Sequence, residues 1–344
     1  MKTVLFALGL VGAVLSLDAE PPTYQVDLDQ PAHLRWKHAF APHIRTLQAL
    51  HEELLVALTP HQVRLLAILL KATFLDAEIK EEIKAAADQT GIALESFVVL
   101  SFFYELRAYC TSILVKQPDG SILHGRNLDY VVPKAMRELV ANIEFLRNGQ
   151  LLYRATTFIG YFGVLTGVKP GAFAISLDQR VPKGSIWRNI ANAAIGNTGN
   201  TFAIRKAFET FATYEETVQY LCEVPLITDS YYIISGVSEL QGAIITRFKH
   251  SLVDIRPISP TNWYLVETNF DPWAHDPAVD SRRTKAEEHL QALGAGQVSQ
   301  PQLWAVLSTP PVFNVRTIYT TVMSARTGTM TSKIRGLKGR EEFG

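Results

Sequence analysis

Residues Cys110–Tyr130 read CTSILVKQPDGSILHGRNLDY. Thr111 to Lys116 is rich in β-branched and aliphatic residues, the composition of a strand. Gln117-Pro118-Asp119-Gly120 is a turn with a physical cause: proline presets φ and glycine accepts φ > 0. Ser121 to Tyr130 then returns as a second strand. A turn centred near Pro118–Asp119, with a two-residue loop or a one-residue bulge, sets Cys110 opposite Asn127 to Asp129. Arg126 and Asp129 are drawn to the same end of the sheet. Turn chemistry alone therefore gathers a thiol, a guanidinium and a carboxylate.

Upstream of this hairpin, residues 31–108 read as helical. Ile44, Leu47, Leu50, Leu54, Leu55 and Leu58 recur at helical spacing. Thr59-Pro60 fits a helix start, and the helix after it, through Leu65, Leu66, Ile68, Leu69 and Leu70, is apolar nearly all round. Such a helix is a core element or one that dips into a lipid surface. Downstream, Leu139–Arg147, Asn148-Gly149 and Gln150–Phe158 spell a second hairpin. Glycines 160, 163 and 167 lead to a strand over Ala172–Leu177, and Ile186–Val224 looks mostly helical. Strands follow at Tyr231–Ser235, Gly242–Arg247, Ser251–Ile255 and Trp263–Thr268, helices at Arg282–Ala292 and Gln302–Leu307, and a strand at Val315–Met323. That order suits an α+β chain in which sheets pack between helical layers.

The 344 residues carry 33 Lys+Arg and 33 Asp+Glu, a balance that gives no reason to expect nucleic acid as a partner. Met1-Lys2-Thr3, the apolar Val4–Leu17 and the polar Asp18–Glu20 before Pro21-Pro22 read as a signal peptide over residues 1–19. The stretch falls short of the ~20 apolar residues that span a bilayer. A secreted or lysosomal protein is expected. Cys110 and Cys222 are the only cysteines, so at most one disulfide could form. The histidines lack metal-ligand spacing.

A cysteine that attacks an amide needs a base or a depressed pKa. One base is a histidine. His124, on the returning strand, would make this a papain-like hydrolase. Another is the nucleophile's own α-amino group, available only when the chain is cut just before it, with a pKa of roughly 7.7–8.0. Asp129 could hold that ammonium while Arg126 supplies positive charge near the thiolate. A buried cysteine beside a structural ion pair is the plainer alternative.

The Cys110–Tyr130 segment resembles the signature of the acid ceramidases and N-acylethanolamine acid amidases, which are lysosomal N-terminal-nucleophile hydrolases. Thr156–Gly167 (TTFIGYFGVLTG), Val266–Trp273 (VETNFDPW), Asp280–Thr284 (DSRRT) and Thr317–Ala325 (TIYTTVMSA) resemble that family in the same order. The resemblance implies an αββα sandwich with a helical α chain, residues 20–109, on its outside. Self-cleavage between Tyr109 and Cys110, favoured by acidic pH, would release a β chain over 110–344. The two chains would remain a heterodimer whose α-chain helices approach membranes. Cys110 is then the nucleophile, Asp129 orients its α-amino group, Arg126 assists, Asn269 serves the oxyanion and Arg282 organises the site. No metal or organic cofactor is implied, and the substrate is a lipid amide. Asn127-Leu128-Asp129-Tyr130, Val266-Glu267-Thr268-Asn269 and Thr320–Ser324 look more like the ethanolamide amidases. Phe103-Tyr104-Glu105-Leu106 and Thr166–Gly171 look more like the ceramidases.

One position departs from the pattern. Gln179, in Leu177-Asp178-Gln179-Arg180, stands where the family usually has glutamate. A backbone role at this oxyanion or maturation position tolerates glutamine, whereas a proton-transferring carboxyl does not. A lipid-binding homologue without turnover is the corresponding alternative.

Overall fold

The computed structural model describes residues 18–56, 76–97, 100–101, 109–130, 133–180, 197–277 and 280–336. The apolar N-terminal stretch through Leu17, the apolar helix expected after Pro60 and the first part of Ile186–Val224 lie outside the described residues.

The N-terminal segment opens with a strand, β1 (Thr23–Asp27), then short helical turns at Ala32–Arg35 and Lys37–Phe40. Two longer helices follow, α1 (Ile44–Val56) and α2 (Ala77–Thr90). The hairpin comes next as β2 (Tyr109–Lys116) and β3 (Ile122–Asp129). Cys110 pairs with Leu128, the middle of its three expected partners. Pro118-Asp119-Gly120 forms a three-residue loop, and Gly120 takes φ 74°, the left-handed conformation that closes such loops. After α3 (Pro133–Glu138), the hairpin of β4 (Val140–Arg147) and β5 (Gln150–Phe158) turns at Asn148-Gly149. Both turn residues have positive φ, 52° and 68°, as a type I′ turn requires.

The chain continues through β6 (Thr166–Lys169), β7 (Phe173–Gln179), α4 (Asn200–Thr210) and α5 (Tyr214–Glu223). Strands β8 (Ser230–Ser235), β9 (Gly242–Arg247), β10 (Leu252–Pro257) and β11 (Tyr264–Glu267) follow. Then come α6 (Arg282–Leu293), α7 (Gln300–Leu307), β12 (Thr317–Ser324) and β13 (Thr329–Ile334). The strands form an eight-stranded sheet, β1-β4-β5-β6-β7-β8-β9-β10, and a five-stranded one, β11-β2-β3-β12-β13.

Strand alternation builds the layers. On β2, Ile113 and Val115 join Ala286, Leu290, Leu303 and Leu307 of α6 and α7. Leu114, from the opposite face, packs with Tyr231, Ile233 and Ile244 of the other sheet. Helical residues of the N-terminal segment and of α4 share a third cluster with β4, β5 and β7. The order is helix, sheet, sheet, helix: the αββα sandwich. Gly125 on β3 permits the approach of α7, since a Cβ there would meet Leu307 Cδ1 at 2.8 Å.

The N-terminal segment is not wholly helical. β1 pairs in parallel with β4, from Thr23↔Asn142 to Asp27↔Leu146. Only Val26 is buried in this five-residue strand, so no apolar run announced it. Strands β6 and β13 were also not expected from the sequence. The first is four residues with a glycine, and the second is polar and half exposed.

Helix α2 ties this segment to the rest by charge. Glu82, fully buried, accepts hydrogen bonds from Arg205 at 2.7 and 2.8 Å, Arg35 at 2.9 Å and Trp36 Nε1 at 2.8 Å. Removing one partner of such a cluster strands buried charge. Glu82→Ala is expected to cost about 3–5 kcal/mol in denaturant unfolding. A loss below about 1 kcal/mol, the range of surface ion pairs, would contradict this role.

Candidate active site

Cys110 is fully buried at the start of β2, and its side chain lies between the two sheets. Arg126 is its diagonal neighbour on β3, two residues before Leu128. The guanidinium donates from Nη2 to Cys110 Sγ at 3.1 Å. It is anchored by the Leu165 carbonyl at 2.6 Å and Thr166 Oγ1 at 2.7 Å. Strand β6, which supplies Thr166, thus aims the arginine at the sulfur.

The Cys110 main chain is held from β11 and α6. Its N–H donates to Asn269 Oδ1 at 2.9 Å, and its carbonyl accepts from Arg282 Nη1 at 2.6 Å. Arg282 Nη2 donates to the same Asn269 oxygen at 2.8 Å. Asp280 fixes Arg282 through contacts of 2.6 and 2.9 Å. Asn269 Nδ2 donates to the Gln179 main-chain carbonyl at 2.7 Å. That contact is the same whether residue 179 carries an acid or an amide.

Asp129 pairs with Tyr109, not Cys110, and so lies on the opposite face of the sheet from the sulfur. It accepts from Asn314 Nδ2 at 2.7 Å and faces Arg282 at 3.6 Å. Burial raises its pKa, outweighing Arg282, Asn314, Thr317 and Arg126. A cleft of about 540 Å³ opens beside it, lined among others by Tyr109, Phe270, Arg282, Asn314 and Arg316. The Tyr109 ring lies under the guanidinium groups of Arg282 and Arg316, at 5.8 and 5.4 Å.

Cys110, Arg126, Asn269 and Arg282 therefore converge, with Gln179 joined through its backbone, while Asp129 reaches them from the other face of the sheet through Arg282. His124 does not join them. It lies four positions along β3 from Leu128, roughly 13 Å at strand spacing. Its Nε2 meets Ser176 Oγ at 2.8 Å and its Nδ1 meets Ser235 Oγ at 3.2 Å. Burial, with Arg126 adding to it, lowers its pKa to about 3, so the ring is neutral. Cys110 and Cys222 are both free thiols. Among the described residues there is no cluster of three or more His, Cys, Asp or Glu that could hold a metal.

Sequence reasoning passed over Asn314, Ser112, Asp178 and Glu267. Ser112 is two residues after Cys110 and so on the same face of β2, a signal that was available. Asp178 lies on a strand buried on both faces, where alternation says nothing.

A cysteine opening a central strand of one of two packed sheets, within helical layers, is the arrangement of the N-terminal-nucleophile hydrolase fold. No protein-family model matches the chain. The N-acylethanolamine-hydrolyzing acid amidase of Mus musculus is 39% identical over 94% of this chain and 91% of its own length. The acid ceramidase of Bos taurus is 31% identical over 91% and 86%. A solved structure, the Caenorhabditis elegans ortholog of N-acylethanolamine-hydrolyzing acid amidase, superposes with a TM-score of 0.59 at 33% identity. It covers 65% of this chain and 99% of its own. The chain belongs to the family of N-acylethanolamine-hydrolyzing acid amidases and acid ceramidases.

The buried acids give the site a pH signature. Burial lifts Glu267 to about 7 and Asp178 to about 8. Their pKa values are raised in the folded chain, so their contribution is fully present in acid and is lost as pH rises through those values. His124 acts with the opposite sign, and only between about 3 and 6.5. Stability is therefore expected to fall from pH 6.5 to 8, by up to about 1.4 kcal/mol per pH unit per group. Glu267→Gln should flatten the part below pH 7. Denaturant unfolding across this range checks it, and stability that stays level or rises would contradict it.

Proposed function

We propose that this chain is a lipid-amide hydrolase that cuts itself before Cys110 and then uses Cys110 to release fatty acid from N-acylethanolamines. The observation that carries the reading is the bracket around Cys110: Arg126 on its sulfur, Asn269 on its nitrogen and Arg282 on its carbonyl.

In the uncut chain, Cys110 Sγ attacks the Tyr109 carbonyl carbon. The C–N bond breaks, the Cys110 nitrogen takes the thiol proton, and a thioester forms. Water opens it to give the Tyr109 carboxylate and a free thiol. The nitrogen that Asn269 held as an amide is now an α-amino group, and that group is the base. In turnover the amine accepts the thiol proton as Sγ attacks the fatty amide, then passes it to the departing ethanolamine. Water releases the fatty acid from the acyl-enzyme. Asn269 Nδ2, anchored on the Gln179 carbonyl, serves the oxyanion.

Several observations support this. The solved relative covers about two-thirds of this chain, the share that Cys110–Gly344 makes up. The neutral His124, engaged by two serines, is a poor base for a papain-like reaction. With β1 paired to β4 and Glu82 on Arg205, the segment before the cut stays attached as the α chain of a heterodimer. Among the described residues no helix is long and apolar enough to cross a membrane. A secreted or lysosomal enzyme that meets membranes from outside is consistent with that. The head group is read as ethanolamide because identity to those amidases, 33% to 39%, exceeds the 31% to acid ceramidase.

Intact masses at neutral and acidic pH test the reading. Wild type should give two chains split between Tyr109 and Cys110, and Cys110→Ala one whole, inactive chain. An uncut wild type that hydrolyses fatty amides would sink the mechanism. Gln179→Glu is expected to leave the cut in place and change its rate by less than about tenfold, since the contact that 179 makes with Asn269 is main-chain. A rate increase of a hundredfold or more would return a proton-transfer role to the side chain.

A further inference from the structure

Behind Arg126 lies a buried polar chain that the reaction above does not use. Ser112 Oγ lies 2.8 Å from Asp178 Oδ1 and 2.8 Å from Ser176 Oγ. Ser176 Oγ lies 2.8 Å from His124 Nε2, and His124 Nδ1 lies 3.2 Å from Ser235 Oγ. The members come from β2, β7, β3 and β8, and so bridge the two sheets. Asp178, His124, Ser176 and Ser235 are fully buried. Asp178 Oδ2 is buried with no hydrogen-bond partner, a poor setting for a carboxylate and a tolerable one for a neutral acid.

Two charge states satisfy the chain. With Asp178 protonated, each group donates onward, from Asp178 through Ser112 and Ser176 to His124 Nε2, and His124 Nδ1–H donates to Ser235. With Asp178 ionised, every bond reverses and Ser112 donates to the carboxylate. Ionisation therefore strands no donor, and the balance rests on the charges around Asp178. Arg126 on β3 and Arg282 on α6 favour the anion, as does Ser112, while burial and Glu267 on β11 oppose it. Tyr319 on β12 is the remaining titratable neighbour, together with Tyr231, its pair on β8, whose hydroxyl is engaged by Asp271. Burial is the largest of these influences and keeps the acid protonated to about pH 8.

We propose that Asp178 is a positioning residue for the nucleophile: held as a neutral acid behind Arg126, it leaves the guanidinium's charge to the Cys110 sulfur. The proposal rests on Cys110 being the nucleophile. When Asp178 ionises, a carboxylate inside the same dry space competes with the sulfur for Arg126, and the thiolate loses its counter-charge. Asp178 then sets the alkaline limit of the reaction, a task that Gln179, already an amide, cannot perform.

The test is the pH profile of kcat/KM for fatty-amide hydrolysis by protein matured at acidic pH, with cleavage checked by mass. Asp178→Asn keeps the neutral shape and cannot ionise. It should raise the ratio of kcat/KM at pH 9 to that at pH 5 by up to roughly tenfold, the loss that a limb near pH 8 imposes one pH unit above it. Ser112→Ala, which removes the donor that stabilises the anion, should move the limb the same way and serves if D178N does not fold. A ratio unchanged in both variants, or a folded D178N chain left uncut in acid, overturns the proposal. Cys110→Ala separates the two readings: if it stays active, the nucleophile assignment falls and this inference with it. If it is inactive while the ratio does not move, only the inference falls.

Discussion

The Cys110 peptide is gripped at three atoms, and much of the fold serves that grip. Asn269 takes the N–H, Arg282 takes the carbonyl and Arg126 takes the sulfur. These partners come from just past the end of β11, the start of α6 and the middle of β3. Strand β11 must pair with β2 in register, with Glu267 opposite Ser112, for Asn269 to arrive beside Cys110. Helix α6 must pack on the five-stranded sheet for Arg282 to reach inward. Buried, ionised side chains are tolerated here because each finds a partner: Asp280 and Asn269 for Arg282, Thr166 and a carbonyl for Arg126.

The same layout makes the segment before Cys110 part of the sandwich. Strand β1 extends the larger sheet and Glu82 lies on Arg205 of α4. Tyr109, the residue before Cys110, lies with its ring under two guanidinium groups at the edge of the cleft. The cut proposed at its carboxyl side would give the chain a new end at Cys110, whose sulfur Arg126 already holds, and would leave the layers on either side intact.

How much of this could be read from the sequence follows from the range of each interaction. The Cys110 hairpin was legible to within one residue of register, because Pro118-Asp119-Gly120 constrains the pairing locally; the structure takes the middle register, Cys110 opposite Leu128, which makes Arg126 the diagonal neighbour. The Asn148-Gly149 hairpin was legible for the same reason. Asn269 and Arg282 were named only through family resemblance. They lie 159 and 172 positions from Cys110, and no local pattern specifies which strand will flank β2. Strand β1 was missed because a five-residue strand with one buried residue carries little hydrophobic signal, and its partner β4 lies more than a hundred residues on. Asp178 was quoted but given no role, since a strand buried on both faces hides which side chains meet.

The account stands or falls on the identity of the atom that carries the acyl group. Matured protein mixed with a fatty ethanolamide, quenched in acid and weighed intact measures this directly. The account predicts a β chain heavier by one fatty acyl group, held as a hydroxylamine-labile thioester on the peptide that begins with Cys110. Turnover with the acyl group on another residue, or on an uncut chain, would contradict it.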